Sequence, residues 1–88
     1  MQKITQKQAE IYVIDKLRSK RYFGAHQILL ENIPKGKPAE DKKMIIKAIR
    51  NLANKGFLLM KKKHYGVHVS LDPRRVRETG KYLESLES

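Results

Sequence analysis

Lys43, Lys47, Arg50 and Asn54 recur at intervals of three or four residues, and Lys61, Lys62 and Lys63 form an unbroken run. At roughly 100° per residue the first four share one face of a helix, with Asn51 near its edge. A lysine ammonium is a mobile point charge, a guanidinium a rigid fork of donors, and a carboxamide both donates and accepts. Side chains of these types on one face suit an extended anion whose polar edges can also be read. Without a ligand, the same face is an ordinary solvated helix surface. A lysine run on a hairpin can also serve only to discourage edge-to-edge aggregation.

Charge along the chain favours the first reading. The 88 residues carry 20 Lys and Arg against 9 Asp and Glu, a formal net charge of +11. Residues 34–66 hold ten cations and two carboxylates, whereas residues 67–88 hold four of each. A protein that is merely basic would spread the excess. Concentration in one segment predicts a dedicated electrostatic face, and nucleic acid is the leading anionic partner.

Other chemistries find little support. The chain has no Cys, which excludes disulfides, thiol nucleophiles and Cys-ligated zinc. His64, His68 and Asp72 do not complete a recognisable metal-ligand set, so neither metal nor cofactor is expected. There is no Gly-rich phosphate loop, no HExxH, no recognisable carboxylate pair and no marked serine. With little room for a small-molecule cleft, no enzyme activity is expected. The polar start Met1-Gln2-Lys3 lacks a leader's apolar stretch, and no apolar run approaches a membrane span. The expected location is cytoplasmic, with the nucleoid.

The elements that must position these residues follow from periodicity. A first helix is predicted from Thr5 to about Arg21, with a Thr5–Gln8 capping box and a stripe of Ala9, Val13 and Leu17 beside Ile14. Ala25 to about Ile33 reads as a short second helix closed by Pro34. Pro34 to Ala39 is a connector containing Lys35 and Lys37. The third helix spans Pro38 or Ala39 to Lys55, with Ile45, Ala48, Ile49 and Leu52 inward and Gly56 as the stop. Phe57-Leu58-Leu59-Met60 reads as a strand, Lys61 to Gly66 as a strand end and hairpin tip, and Val67, Val69 and Leu71 then alternate with His68 and Ser70 as a second strand. Asp72-Pro73 starts a fourth helix to about Leu86.

This order, and the segment Lys43 to Leu71 (KMIIKAIRNLANKGFLLMKKKHYGVHVSL), resembles the winged helix-turn-helix superfamily. The pattern Ile45-x2-Ala48-Ile49-x2-Leu52-x3-Gly56-Phe57-Leu58 looks like that family's recognition helix running into its first wing strand. The resemblance implies one mainly α domain, residues 1–88, with three helices, a β-hairpin wing and a C-terminal helix. Residues 5–71 form the core and residues 72–88 the added helix. The connector with Pro34, Gly36 and Pro38 is longer than the compact turn of that family.

The resemblance implies a DNA-binding protein, most simply a transcriptional regulator of double-stranded DNA. The third helix would enter the major groove and the wing would meet the backbone or minor groove. Arg50 suits a guanine edge, Asn51 or Asn54 an adenine, and Lys43 and Lys47 phosphates. Lys61, Lys62, Lys63, His64 and Tyr65 would contact DNA from the wing. Lys35, Lys37, Arg74, Arg75 and Arg77 are further candidates for phosphate. Ile11 and Tyr12, with Val76, Leu83 and Leu86, form apolar stripes predicted to join two copies as a homodimer. The alternative is that the last helix folds back on the first. Two other functions compete: a sequence-tolerant architectural protein of the nucleoid, and a protein-interaction module in a nucleic-acid complex.

Overall fold

The computed structural model describes residues 4–88; Met1–Lys3, the polar start read above, lie outside the described residues. Helix α1 spans Gln6–Ser19. Its capping box forms as expected: the Thr5 hydroxyl accepts from the Gln8 N–H at 3.0 Å, and the Gln8 side chain accepts from the Thr5 N–H at 2.9 Å. Such a cap stabilises a helix by about 1 kcal/mol. Ala9, Val13, Ile14 and Leu17 are fully buried. Glu10 is buried among them.

The segment expected as a second helix is not one. Ile28–Leu29 form strand β1, and Leu30–Asn32 make a single 3-10 turn before the buried Ile33. β1 pairs antiparallel with a later strand, Ile28 opposite Val69 and Leu29 opposite His68. A nine-residue helix is marginal alone, so a partner strand for Ile28 and Leu29 overrides their helical spacing.

Helix α2, Ala39–Asn54, is the element expected as the third helix. Ile45, Ala48, Ile49 and Leu52 are fully buried, as their spacing predicts. α2 lies along α1 and ends at Gly56, whose φ of 88° suits a residue without Cβ.

Strands β2, Leu58–Lys63, and β3, Gly66–Leu71, form the hairpin, with Leu58 opposite Leu71 and Lys63 opposite Gly66. β3 is central, so the sheet order is β1–β3–β2. Val69 and Leu71 face the core, as the alternation predicts. Ser70 is buried on the other face and donates to the Gly24 carbonyl at 2.9 Å.

Asp72 caps a 3-10 turn, Pro73–Arg75, which leads into helix α3, Val76–Glu87. α3 packs against α1. The described residues therefore contain three α-helices and a three-stranded antiparallel sheet. The class is mixed α/β rather than mainly α with a lone hairpin. One set of buried side chains from α1, α2, the sheet and α3 makes up the core.

The position of α3 bears on the stripe proposed for self-association. Leu83 is only 5% exposed within a single chain. Ile11 and Tyr12 are half-buried against the core, Leu86 is half-buried, and only Val76, 50% exposed, stands in the open. Packing within a single chain thus covers most of that stripe, Leu83 through α3 and Tyr12 against the connector.

Candidate nucleic-acid interface

α2 buries one face so completely that its other face is fixed outward. Lys43, Lys47, Arg50 and Asn54 are all exposed. The first turn of α1 flanks them, and an open groove of about 470 Å³ is lined by Gln6, Met44, Lys47, Arg50, Asn51 and Asn54. Lys43 lies in an adjoining depression with Glu40, Met44 and Lys47. The ion pairs among the described residues are Arg74–Asp72 and Arg75–Glu78, so neither involves a cation of α2 or of the hairpin. Cations not held in ion pairs remain available to an external anion.

The hairpin gathers the second group. Lys61, Lys62 and Lys63 are exposed along β2, and His64 and Tyr65 make the tip. Their rings meet edge to face at 6.0 Å, and Tyr65 is 85% exposed. The groove is lined by residues of α1 and α2 alone, and the hairpin cations lie outside that lining.

The remaining cation candidates differ in freedom. Lys35 and Arg77 are exposed. Lys37 places its ammonium 4.8 Å from the Tyr12 ring centre, and Lys16 places its own 5.6 Å away. Tyr12 and Lys16 both donate to the Ile33 carbonyl, at 3.1 and 2.9 Å. These contacts fasten both ends of the connector to α1.

Arg74 forks onto Asp72, donating from Nε and Nη2 at 3.2 Å each. The side-chain bond from Arg74, and then its backbone N–H, hold the Asp72 carboxyl below the usual carboxylate range. Arg75 lies 5.6 Å from the Phe57 ring centre and pairs with Glu78 at 3.6 Å. Arginines at the start of a helix are disfavoured by its dipole, and these contacts offset that cost.

A polar knot beneath the groove was not anticipated. The Glu10 carboxylate, 2% exposed, accepts hydrogen bonds from Gln6 at 2.9 Å, from Asn51 at 2.6 Å and from the Tyr82 hydroxyl. It therefore ties α1, α2 and α3 together. Burial, and then the bond and charge of Glu10, push the Tyr82 phenol up to about 12. The Tyr82 ring stacks obliquely on Phe57 at 5.0 Å, and the Lys55 ammonium lies 5.5 Å from its centre. One signal was visible in sequence: Glu10, Ile14 and Leu17 lie at i, i+4 and i+7, so Glu10 sits within the apolar stripe.

Among the described residues, no helix is long and apolar enough to cross a membrane. No protein-family model matches the chain, and neither a curated protein nor a solved structure is significantly similar to it.

Proposed function

We propose that this chain is a winged-helix DNA-binding protein that acts as a transcriptional regulator, with α2 entering the major groove and the β2–β3 hairpin meeting the backbone or minor groove. One observation carries the reading: Lys43, Lys47, Arg50 and Asn54 project from one exposed face of α2, and none of its cations is in an ion pair among the described residues. The element order is compatible with the family, with the 3-10 turn Leu30–Asn32 standing where a second helix is expected. Guanidinium and carboxamide groups in one groove with an ammonium supply both base-edge and phosphate chemistry. The lysines of the hairpin add phosphate contacts from a second element.

The test is selection from random duplex pools, followed by titration of the selected and scrambled duplexes. A regulator prefers its site by about 10³ or more at physiological salt. Tight binding with no preference would replace regulation with a sequence-tolerant architectural role. No binding to any duplex would remove the DNA reading altogether.

A further inference from the structure

The knot beneath the groove dictates which atom of Asn51 faces outward. A carboxylate only accepts hydrogen bonds. Glu10 meets the amide nitrogen of Asn51 at 2.6 Å and already takes donors from Gln6 and Tyr82. An Asn51 amide turned the other way would set its oxygen against a carboxylate oxygen. The two amide heteroatoms lie on opposite sides of Cγ, so anchoring the nitrogen turns Oδ1 away from Glu10. Asn51 also lines the groove beside Arg50 and Asn54.

We propose that Glu10 is a positioning residue that locks the Asn51 carboxamide with its acceptor toward the groove, so that Asn51 selects a base carrying an exocyclic amine. In the major groove that means adenine or cytosine, whose amino groups donate, rather than guanine or thymine, whose carbonyl oxygens do not. The inference rests on the DNA reading above and assigns it one base preference. It also gives the buried carboxylate a role beyond joining helices: a buried acceptor fixes which way the amide faces, Oδ1 outward, with the second N–H of the amide still able to donate beside it.

The experiment compares wild type, Glu10→Gln, Asn51→Ala and Tyr82→Phe against duplexes varied at each position of the selected site. Gln can both donate and accept, so Glu10→Gln frees the Asn51 amide to adopt either orientation. Wild type should prefer an amino-bearing base at one position by about tenfold, the lower range of a base-edge contact. Glu10→Gln and Asn51→Ala should both reduce that preference to about twofold or less, leaving other positions unchanged. Tyr82→Phe removes a different donor to Glu10 and should keep the preference. A preference that survives Glu10→Gln or Asn51→Ala overturns the proposal, as does a guanine or thymine preference assigned to Asn51.

A second measurement needs no DNA. In the free wild-type protein, one side-chain amide proton of Asn51 should resonate far downfield of a solvated amide and exchange slowly. Tyr82→Phe should keep that signature. A solvated-type resonance overturns the positioning role by itself, including if Glu10→Gln fails to fold. Absence of all DNA binding with the signature intact overturns the functional reading and the base assignment, while leaving the amide orientation standing.

Discussion

Arg21 and Gly56 occupy the same position of the same helix-ending motif. After α1, the Tyr22 N–H donates to the Leu17 carbonyl at 2.9 Å and the Arg21 N–H to Arg18 at 3.1 Å. After α2, the Phe57 N–H donates to Leu52 at 3.1 Å and the Gly56 N–H to Ala53 at 3.0 Å. Both residues are left-handed, with φ of 58° for Arg21 and 88° for Gly56. Only Gly56 adopts that conformation without steric cost. Arg21→Gly should therefore stabilise the fold by about 1 kcal/mol. Gly56→Ala should destabilise it by more than about 1 kcal/mol, because a side chain is strained there. A Cβ at Gly56 would also lie 2.9 Å from a guanidinium nitrogen of Arg75. Urea unfolding midpoints check both.

Leu83 reports where α3 spends its apolar surface. It is buried within one chain, so Leu83→Ala should cost about 2–5 kcal/mol. Val76→Ala, at an exposed position, should change stability by less than about 0.5 kcal/mol. Unfolding followed at several protein concentrations checks this. If Leu83 instead served only to join two copies, its loss would lower the molecular mass in light scattering and remove the concentration dependence of unfolding.

Tyr82 should set the alkaline limit of stability. Its folded phenol titrates near 12, against an ordinary 10.0. The unfolded chain releases this proton first, so the Tyr82 contribution is complete below about pH 10 and is lost as pH rises towards 12. Ultraviolet titration should show one tyrosinate appearing near 12, absent in Tyr82→Phe. Over that window, wild type should lose stability relative to Tyr82→Phe. Parallel curves for the two proteins would contradict the coupling.

Arg50 and Lys62 should fail in different ways. Arg50→Ala should weaken the selected duplex more than a scrambled one, by about 1–3 kcal/mol. Lys62→Ala should weaken both equally and reduce the log–log salt slope by about one. Titrations at several salt concentrations separate the two. Uniform loss from both substitutions would mean that α2 reads no bases.

What was legible in the sequence tracks how locally each feature is encoded. α2 was legible because Ile45, Ala48, Ile49, Leu52 and Gly56 state its face and its end within one segment. The hairpin was legible from the alternation Val67, Val69, Leu71 after a short apolar run. Ile28 and Leu29 were misread because their strand partners, Val69 and His68, lie about forty residues away. The face of Lys43, Lys47, Arg50 and Asn54 was read directly from spacing and is exposed as expected. The Glu10 knot was hidden because its donors come from three helices, with Tyr82 72 residues distant. Spacing could place Glu10 on a buried stripe, but could not supply the partners that make its burial tolerable. Arg74 and Arg75 stood out as cations at a helix start, and their local partners emerged only with the turn at Asp72.

The brevity of β1 has a mechanical consequence. Its two residues brace β3 only at Val69 and His68. Beyond them the ladder continues through Lys62–Val67 and Lys63–Gly66 with no third strand beside it. The end of the hairpin is a cantilever, clamped at the Leu58–Leu71 end and loaded with charge at the free end. Its outermost rungs should open first, so amide exchange should quicken from Leu71 towards Gly66. Under the proposed function, a lever of this kind would let lysines follow a phosphate ridge whose height varies while α2 stays seated. On that reading, stiffening the tip would trade tolerance of DNA shape for tighter binding to one shape.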